Sequence, residues 1–257
     1  MRNVVLFNAP EHRFVLLHES EAGDEEGIRS NQYLVLHEGC GVLLDPGVFG
    51  VMPGVLTELL QYIEPRELKA IVLSHQDPDI MGGLSTWLEL TGAPVYVPRV
   101  WLRFLPHYGI RDLSRFVLVP DEGLACEFSP GFQLKLAPAH FLHSEGQLNV
   151  YDPIAKILFA GDIGAATLPG GLEYEFVDDF ARHLRYVEGF HQRYMCSIRA
   201  IRCWVETIAG LEIHMLTPQH GPVYRGRTVQ DFIDWFSNLK CGIDLMGPGG
   251  RFADGAP

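Results

Sequence analysis

Five times in this 257-residue chain a short apolar run ends at an aspartate or a histidine close to glycine or proline: at Asp45, in the string His75-Gln76-Asp77-Pro78-Asp79, at His143, at Asp162 and at His220. Core packing alone does not produce such a series. A residue at the carboxyl end of a strand sits on a rigid support and still faces the loops, which is the placement a metal ligand needs. Imidazole combined with carboxylate suits zinc, iron or manganese, whereas oxygen-only sets suit calcium or magnesium. His75, Asp77 and Asp79 recur at every second residue, so an extended segment would aim all three the same way and let one loop grip two adjacent ions.

The runs that carry these residues follow an α/β pattern. Alternation and turn residues predict strands at 4–8, 14–18, 33–37 and 42–44, an antiparallel meander closed by Asp45-Pro46-Gly47. A helix over 55–63, a compact apolar strand at 70–73, the polar His75 loop and a helix from Gly82-Gly83 to Leu90 follow, then a strand at 95–97. Gly82-Gly83 allows close approach at the start of that helix. Segment 98–116 mixes helix and loop, and its aromatic stretch from Trp101 to Tyr108 either caps a pocket or packs. The second half restarts the strand-rich pattern, with strands at 132–137, 148–151 and 156–160, helices over 177–211 and a strand at 213–216. Two strand-rich halves imply two packed sheets. No linker or repeat divides the chain, so it reads as one unit, 1–257, with its core within about 1–230 and a frayed Gly-rich tail at 247–257.

Composition narrows the function. Twenty Lys and Arg against 32 Asp and Glu give a formal charge of −12, which works against binding a phosphate backbone, so no nucleic-acid partner is expected. With 47% hydrophobic residues the chain can bury a sizeable core. There is no signal-peptide pattern at Met1 and no run of about 18 apolar residues, which predicts a cytoplasmic protein without a membrane partner. Five cysteines at wide spacings, with no C-x-x-C pair, fit structural thiols in a reducing compartment. Cys196 and Cys203, seven apart in a helical pattern, are expected to pack on one face.

From about Tyr33 to Arg225 the chain resembles the metallo-β-lactamase fold, and within it the diiron branch: the flavodiiron proteins and the related stand-alone oxygen-binding diiron proteins. The resemblance rests on LLDPG, LSHQDPDIMGG, HFLHSEGQ, LFAGDIGA and TPQHGPVYRG, and on the steps from 79 to 143, 143 to 162 and 162 to 220, which are 64, 19 and 58 residues. It implies a four-layer αββα sandwich of two mixed sheets flanked by helices. It also implies one iron held by His75, Asp77 and His143, a second held by Asp79 and His220, Asp162 bridging both, and Asp45 holding the ligand loops by hydrogen bonds. His140, three residues before His143, competes for that place; the 19-residue step to Asp162 favours His143.

Two departures from the branch are visible. Asp77 stands where the pattern His-x-Glu-x-Asp-His has Glu, and Ile80 stands where it has the last His, which leaves the second ion open with an apolar wall beside it. Three imidazoles and three carboxylates form a harder set than the five histidines of a dizinc hydrolase, favouring iron over manganese or zinc. An open, partly apolar diiron face suits O2 or NO. The resemblance therefore implies an oxygen-binding diiron protein, a sensor or scavenger, and leaves open whether the ligand is also reduced. The 32 residues after Arg225 leave no room for a flavodoxin domain, so no flavin is expected in this chain and electrons would need an external donor. A signalling partner and a homodimer like that of the flavodiiron relatives stay open. Glu145 and Tyr194 are the candidates for catalytic proton donors at the pocket rim. The alternative is a dinuclear metallohydrolase acting on an ester, thioester, lactone or phosphodiester.

Overall fold

The structure, a computed structural model, describes residues 3–17 and 29–250. Its strands are β1 (Val4–Asn8), β2 (His12–Leu17), β3 (Gln32–His37), β4 (Cys40–Leu44), β5 (Leu68–Val72), β6 (Val95–Pro98), β7 (Phe116–Val119), β8 (Leu124–Ser129), β9 (Phe132–Pro138), β10 (Leu148–Asp152), β11 (Ile157–Gly161), β12 (Phe176–Val177), β13 (Met215–Pro218) and β14 (Val223–Arg225). The first seven form one sheet in chain order. The second seven form another in the order β12-β14-β13-β11-β10-β9-β8. Both are mixed: β1 to β4 are antiparallel while β4 to β7 run parallel, and β11 and β13 are a parallel pair beside antiparallel β8 to β11.

Alternating side chains build three apolar layers. In β3, Leu34 and Leu36 face helices α1 (Met52–Leu59), α2 (Pro78–Met81) and α3 (Leu84–Leu90) through Val55, Leu59, Ile80, Leu84 and Trp87. Its Tyr33 and Val35 face the other way, into a core between the sheets with Phe14, Phe132 and Phe159. The second sheet turns Leu158, Leu216 and Tyr224 toward helices α4 (Phe180–His183), α5 (Glu188–Tyr194), α6 (Ile198–Ile208) and α7 (Arg227–Phe236). Every residue of β3 is buried because both faces of its sheet are covered, as the expected αββα arrangement requires. Each fully buried phenylalanine of the central layer stabilises the sandwich by roughly 2–3 kcal/mol.

Helical elements depart from expectation in two places. The expected helices at 177–211 are broken: between α5 and α6 the chain leaves the helix at Met195 and Cys196 to pair with the loop that carries His143, through a Leu142–Met195 bridge and a Cys196 N–H bond to the Phe141 carbonyl. Ser197 then caps α6 by accepting from the Ala200 N–H. Cys196 thus lies in an extended link and Cys203 is exposed on α6, so the two do not share a packed face. The core also runs past residue 230, because Phe232 and Phe236 of α7 and then Leu239 and Cys241 are buried against the second sheet. Strands β7, β8, β12 and β14 are short or at a sheet edge, where hydrophobic alternation is weakest. Of the expected tail, 247–250 form a turn and the rest lies outside the described residues, as does residue 18 at the end of the expected second strand.

Candidate metal centre

All five ligand-bearing segments emerge at one end of the sandwich. Asp45 follows β4 and His75 follows β5, at the carboxyl ends of a parallel pair; Asp162 follows β11 and His220 follows β13, at the carboxyl ends of the parallel pair in the other sheet. The β9–β10 connection brings His143 to the same end. The Leu148 N–H bond to the Ser74 carbonyl stitches the sheets there. Open α/β sheets gather ligands at strand carboxyl ends, and here two sheets contribute to one site.

The loop after β5 bends at Ser74 and His75 and leaves Asp77 extended. Pro78 then opens α2, and Gly82 and Gly83, which link it to α3, sit so close to the Asp45 loop that a Cβ on Gly83 would lie 2.8 Å from the Gly47 carbonyl oxygen. The extended-segment reading thus fails at His75, yet His75 and Asp77 face the same centre, 3.7 Å apart, and a helical turn brings Asp79 to the same side. Asp45 and His143 adopt left-handed φ of 49° and 72°, a conformation costing roughly 1–2 kcal/mol outside glycine and concentrated at functional sites.

Asp162 is the hub. Its Oδ2 lies 3.8 Å from His75 Nε2 and 3.6 Å from His143 Nε2, while its Oδ1 lies 3.6 Å from His220 Nε2. Asp77 Oδ2 stands 2.9 Å from His143 Nε2 and 3.7 Å from His75 Nε2, and Asp79 Oδ2 stands 3.2 Å from His220 Nε2. The six side chains therefore split into two groups joined through one carboxylate. Buried His75 Nε2 and Asp162 Oδ1 have no hydrogen-bond partner, and one donor atom each from His75, His143 and Asp162 lie within 4.8 Å of one another.

The electrostatics fit cations. Burial alone would lower the His220 pKa, but the hydrogen bond to Asp79 and the charges of Asp162 and Asp79 outweigh it and raise it to about 9. His75 is likewise raised despite its burial, chiefly by the charge of Asp162 and by Asp77. Asp77 and Asp79 are held below the usual carboxylate range by His143 and His75 and by His220 respectively, again against desolvation. Carboxylates crowded together draw protons onto the imidazoles, and divalent cations would balance the same negative charge.

Around the ligands lies a set of supporting groups. Asp45, fully buried, accepts from the Ser74 N–H at 2.7 Å and the Ser74 hydroxyl at 2.6 Å, and the Ser74 oxygen in turn accepts from His75 Nδ1–H at 2.8 Å. This relay leaves His75 Nε2 bare toward the centre. Burial pushes the Asp45 pKa up to about 7, opposed by His75 and the Ser74 bonds. Gln76 donates to Asp77 Oδ1 at 2.9 Å and accepts from the Ser144 hydroxyl at 2.7 Å; Gln219 donates to Asp79 Oδ2 at 3.3 Å. His220 Nδ1–H donates to the Arg29 carbonyl at 2.8 Å. Sequence reading singled out Asp45 and missed Ser74, Gln76 and Gln219, whose signal is only a hydroxyl or amide next to a ligand in the same loop.

The remaining candidates separate clearly. His140 points away, to the Asp121 carbonyl at 2.8 Å. Glu145 is exposed and bonds to none of the ligands. Tyr194 is 54% exposed, with its ring edge-on to His143 at 5.6 Å and against Phe190 at 4.9 Å, so an aromatic pair walls the His143 side. Ile80 belongs to the core under the first helix layer instead of walling an open face. Trp101 and Leu105 pack, and Tyr108 donates from its hydroxyl to the Gln76 carbonyl, so this stretch braces the ligand loop.

Comparison with known proteins decides the family. The profile described as ODP family beta lactamase matches residues 28–221. The chain belongs to this family. Among solved structures it is similar to the apo state of the chemotaxis sensor ODP from T. denticola, with 42% identity, 94% of this chain and 96% of that chain covered, and a TM-score of 0.85. It is equally similar to a structure described as a peroxy diiron species of chemotaxis sensor ODP, at 39% identity and TM-score 0.85, covering 95% and 97% of the two chains. A variant of the flavo di-iron protein from Thermotoga maritima shares the fold at 23% identity and TM-score 0.74, over 91% of this chain and 60% of that one. Among curated proteins, an uncharacterized protein of Methanocaldococcus jannaschii is 22% identical over 84% of this chain and 55% of its own length. This ODP-family chain thus spans about half the length of that relative, and 39% of a putative diflavin flavoprotein from Nostoc.

Proposed function

We propose that this ODP-family protein is a non-haem diiron protein that binds dioxygen and reports it to a partner. The observation that carries the reading is the Asp162 carboxylate, one oxygen of which faces His75 and His143 and the other His220. His75, Asp77 and His143 would hold one iron, Asp79 and His220 the other, and Asp162 would touch both. Bound there, two irons would supply a redox-active centre for a small diatomic ligand. The chain's own residues do the rest: the Asp45–Ser74 relay fixes the His75 tautomer, Gln76 and Gln219 orient Asp77 and Asp79 by binding one oxygen of each, and Phe190 and Tyr194 shield the His143 side. Tyr194, whose ring meets both His143 and solvent, is the proton donor of this reading.

Sensing is favoured over sustained reduction because the relative at 42% identity, of which this chain covers 96%, is described as a chemotaxis sensor. NO as a second small ligand, an external electron donor, a homodimer and a cytoplasmic location, which the free thiols suit, belong to the same reading. The test is metal analysis after expression with iron, where about two irons per chain are expected, followed by anaerobic reduction and exposure to O2. A new near-ultraviolet or visible absorption on oxygen uptake is the expected result. Tightly bound zinc with strong phosphodiesterase or esterase turnover, or no oxygen uptake by the iron-loaded protein, would overturn it.

A further inference from the structure

The end of the sandwich opposite the ligand loops holds a second cluster of imidazole and carboxylate that the diiron reading does not use. His12 opens β2, His37 closes β3 and Asp152 closes β10, at the strand ends remote from Asp45 and Leu148, a strand length or roughly 15 Å away. His12 and Asp152 are buried at 3% and 0% exposure, and His37 stands at 9% on the rim. Asp152 Oδ2 accepts from His12 Nε2–H at 2.6 Å, and its Oδ1 accepts the backbone N–H groups of Ile154 and Ala155 at 3.0 and 3.2 Å. With every bond to Asp152 coming from a donor, the carboxylate is fixed as an acceptor and His12 is held as the Nε2–H tautomer, its Nδ1 bare. That Nδ1 lies 3.1 Å from His37 Nδ1. Phe132 stacks on the His37 ring at 5.4 Å and meets His12 edge-on at 5.9 Å, fixing both planes.

Two imidazoles facing each other through like nitrogens share either a proton or a metal ion. Two metal–nitrogen bonds of about 2.05 Å meeting at roughly 100° span the same 3.1 Å. A histidine ligand whose other nitrogen donates to a buried carboxylate is the usual supporting arrangement of a zinc-type site. His37 Nε2 has no hydrogen-bond partner among the described residues, so the tautomer that carries its hydrogen on Nε2 leaves Nδ1 bare toward a metal. The pair opens on a surface depression of about 380 Å³ lined by Ala9, Pro10, Glu11, His12, His37 and Ile154. Glu11 is the carboxylate that shares this depression with both histidines.

We propose that His12 and His37, with Asp152 behind His12 and Glu11 swinging in from the rim, bind one divalent transition-metal ion of the zinc class, independently of the iron centre. The test uses the iron-loaded full chain and zinc in competition with a chromophoric chelator. The wild type takes up about one zinc per chain while keeping its iron; His37→Gln and His12→Ala lose that zinc with iron content unchanged, and Asp152→Asn weakens it about 10- to 100-fold. Cobalt in place of zinc gives visible d–d bands that the same variants abolish. If buried His12→Ala does not fold, the rim variant His37→Gln, checked by circular dichroism, carries the test. Zinc uptake equal in wild type and His37→Gln, or zinc appearing only as iron is lost, would overturn the proposal, and neither result bears on whether the iron centre binds oxygen.

Discussion

Ser74→Ala isolates the relay behind His75 without touching a ligand. The substitution removes one hydroxyl that now donates to Asp45 at 2.6 Å and accepts from His75 Nδ1–H at 2.8 Å, and leaves the Ser74 N–H bond to Asp45 in place. Two separable effects follow. Losing a group that orients a ligand imidazole lowers metal affinity by about 10- to 100-fold, equivalent to about 1.4–2.7 kcal/mol. Leaving a fully buried carboxylate short of one donor costs the fold about 1–3 kcal/mol and drives the Asp45 pKa further above its present value of about 7, since the hydroxyl bond is one of the influences holding it down. Iron competition with a chelator measures the first effect, and urea unfolding of the metal-free protein the second. Ser74→Thr, which keeps the hydroxyl, should restore most of both. An iron affinity within threefold of wild type, with an unchanged unfolding midpoint, would refute the relay and the tautomer assigned to His75.

Asp162→Ala should lose both metal ions together, because its two oxygens face different imidazole groups, whereas His140→Ala should lose neither; metal counting after gel filtration checks both, and the reverse pattern would displace His143 from the site. Gln76→Leu frees Asp77 Oδ1 to rotate and should weaken iron at the His143 side first, seen as substoichiometric iron near one per chain at limiting metal. His191, fully buried, donates to the Val187 carbonyl and accepts the Gly164 N–H, and burial lowers its pKa to about 4. Above about pH 7 neither the folded nor the unfolded chain is protonated there; as pH falls from about 6.5 to 4 only the unfolded chain takes the proton. The His191 contribution to the stability of metal-free protein should therefore fall by about 3 kcal/mol across that window, read as the difference between the urea midpoints of wild type and His191→Gln at successive pH values.

The fold was legible wherever one face of an element is buried and the pattern has a short period. Strands β3, β5, β10 and β11 lie within a residue or two of where alternation and apolar runs place them, because each is covered on both sides by the layers of the sandwich. The break between α5 and α6 was not legible: 188–208 carries helical periodicity throughout, and only the pairing of Met195 and Cys196 with the His143 loop makes an extended link more favourable than another helical turn. α7 went unnoticed because its apolar stripe has meaning only once the second sheet is there to receive it.

The candidate centre divides in the same way. Residue type and position at strand ends, both local properties, nominate Asp45, His75, Asp77, Asp79, His143, Asp162 and His220, the family resemblance is what sets Asp45 behind the other six, and the nature of those donors already limits the ion. Which oxygen of Asp162 meets which imidazole, that Ser74 rather than Asp45 touches His75, that Ile80 turns into the core, and that His12, His37 and Asp152 meet at the far end are set by contacts between segments up to 140 residues apart. Distances of that kind are decided when two twisted sheets close on each other, and no periodicity within a single segment encodes them.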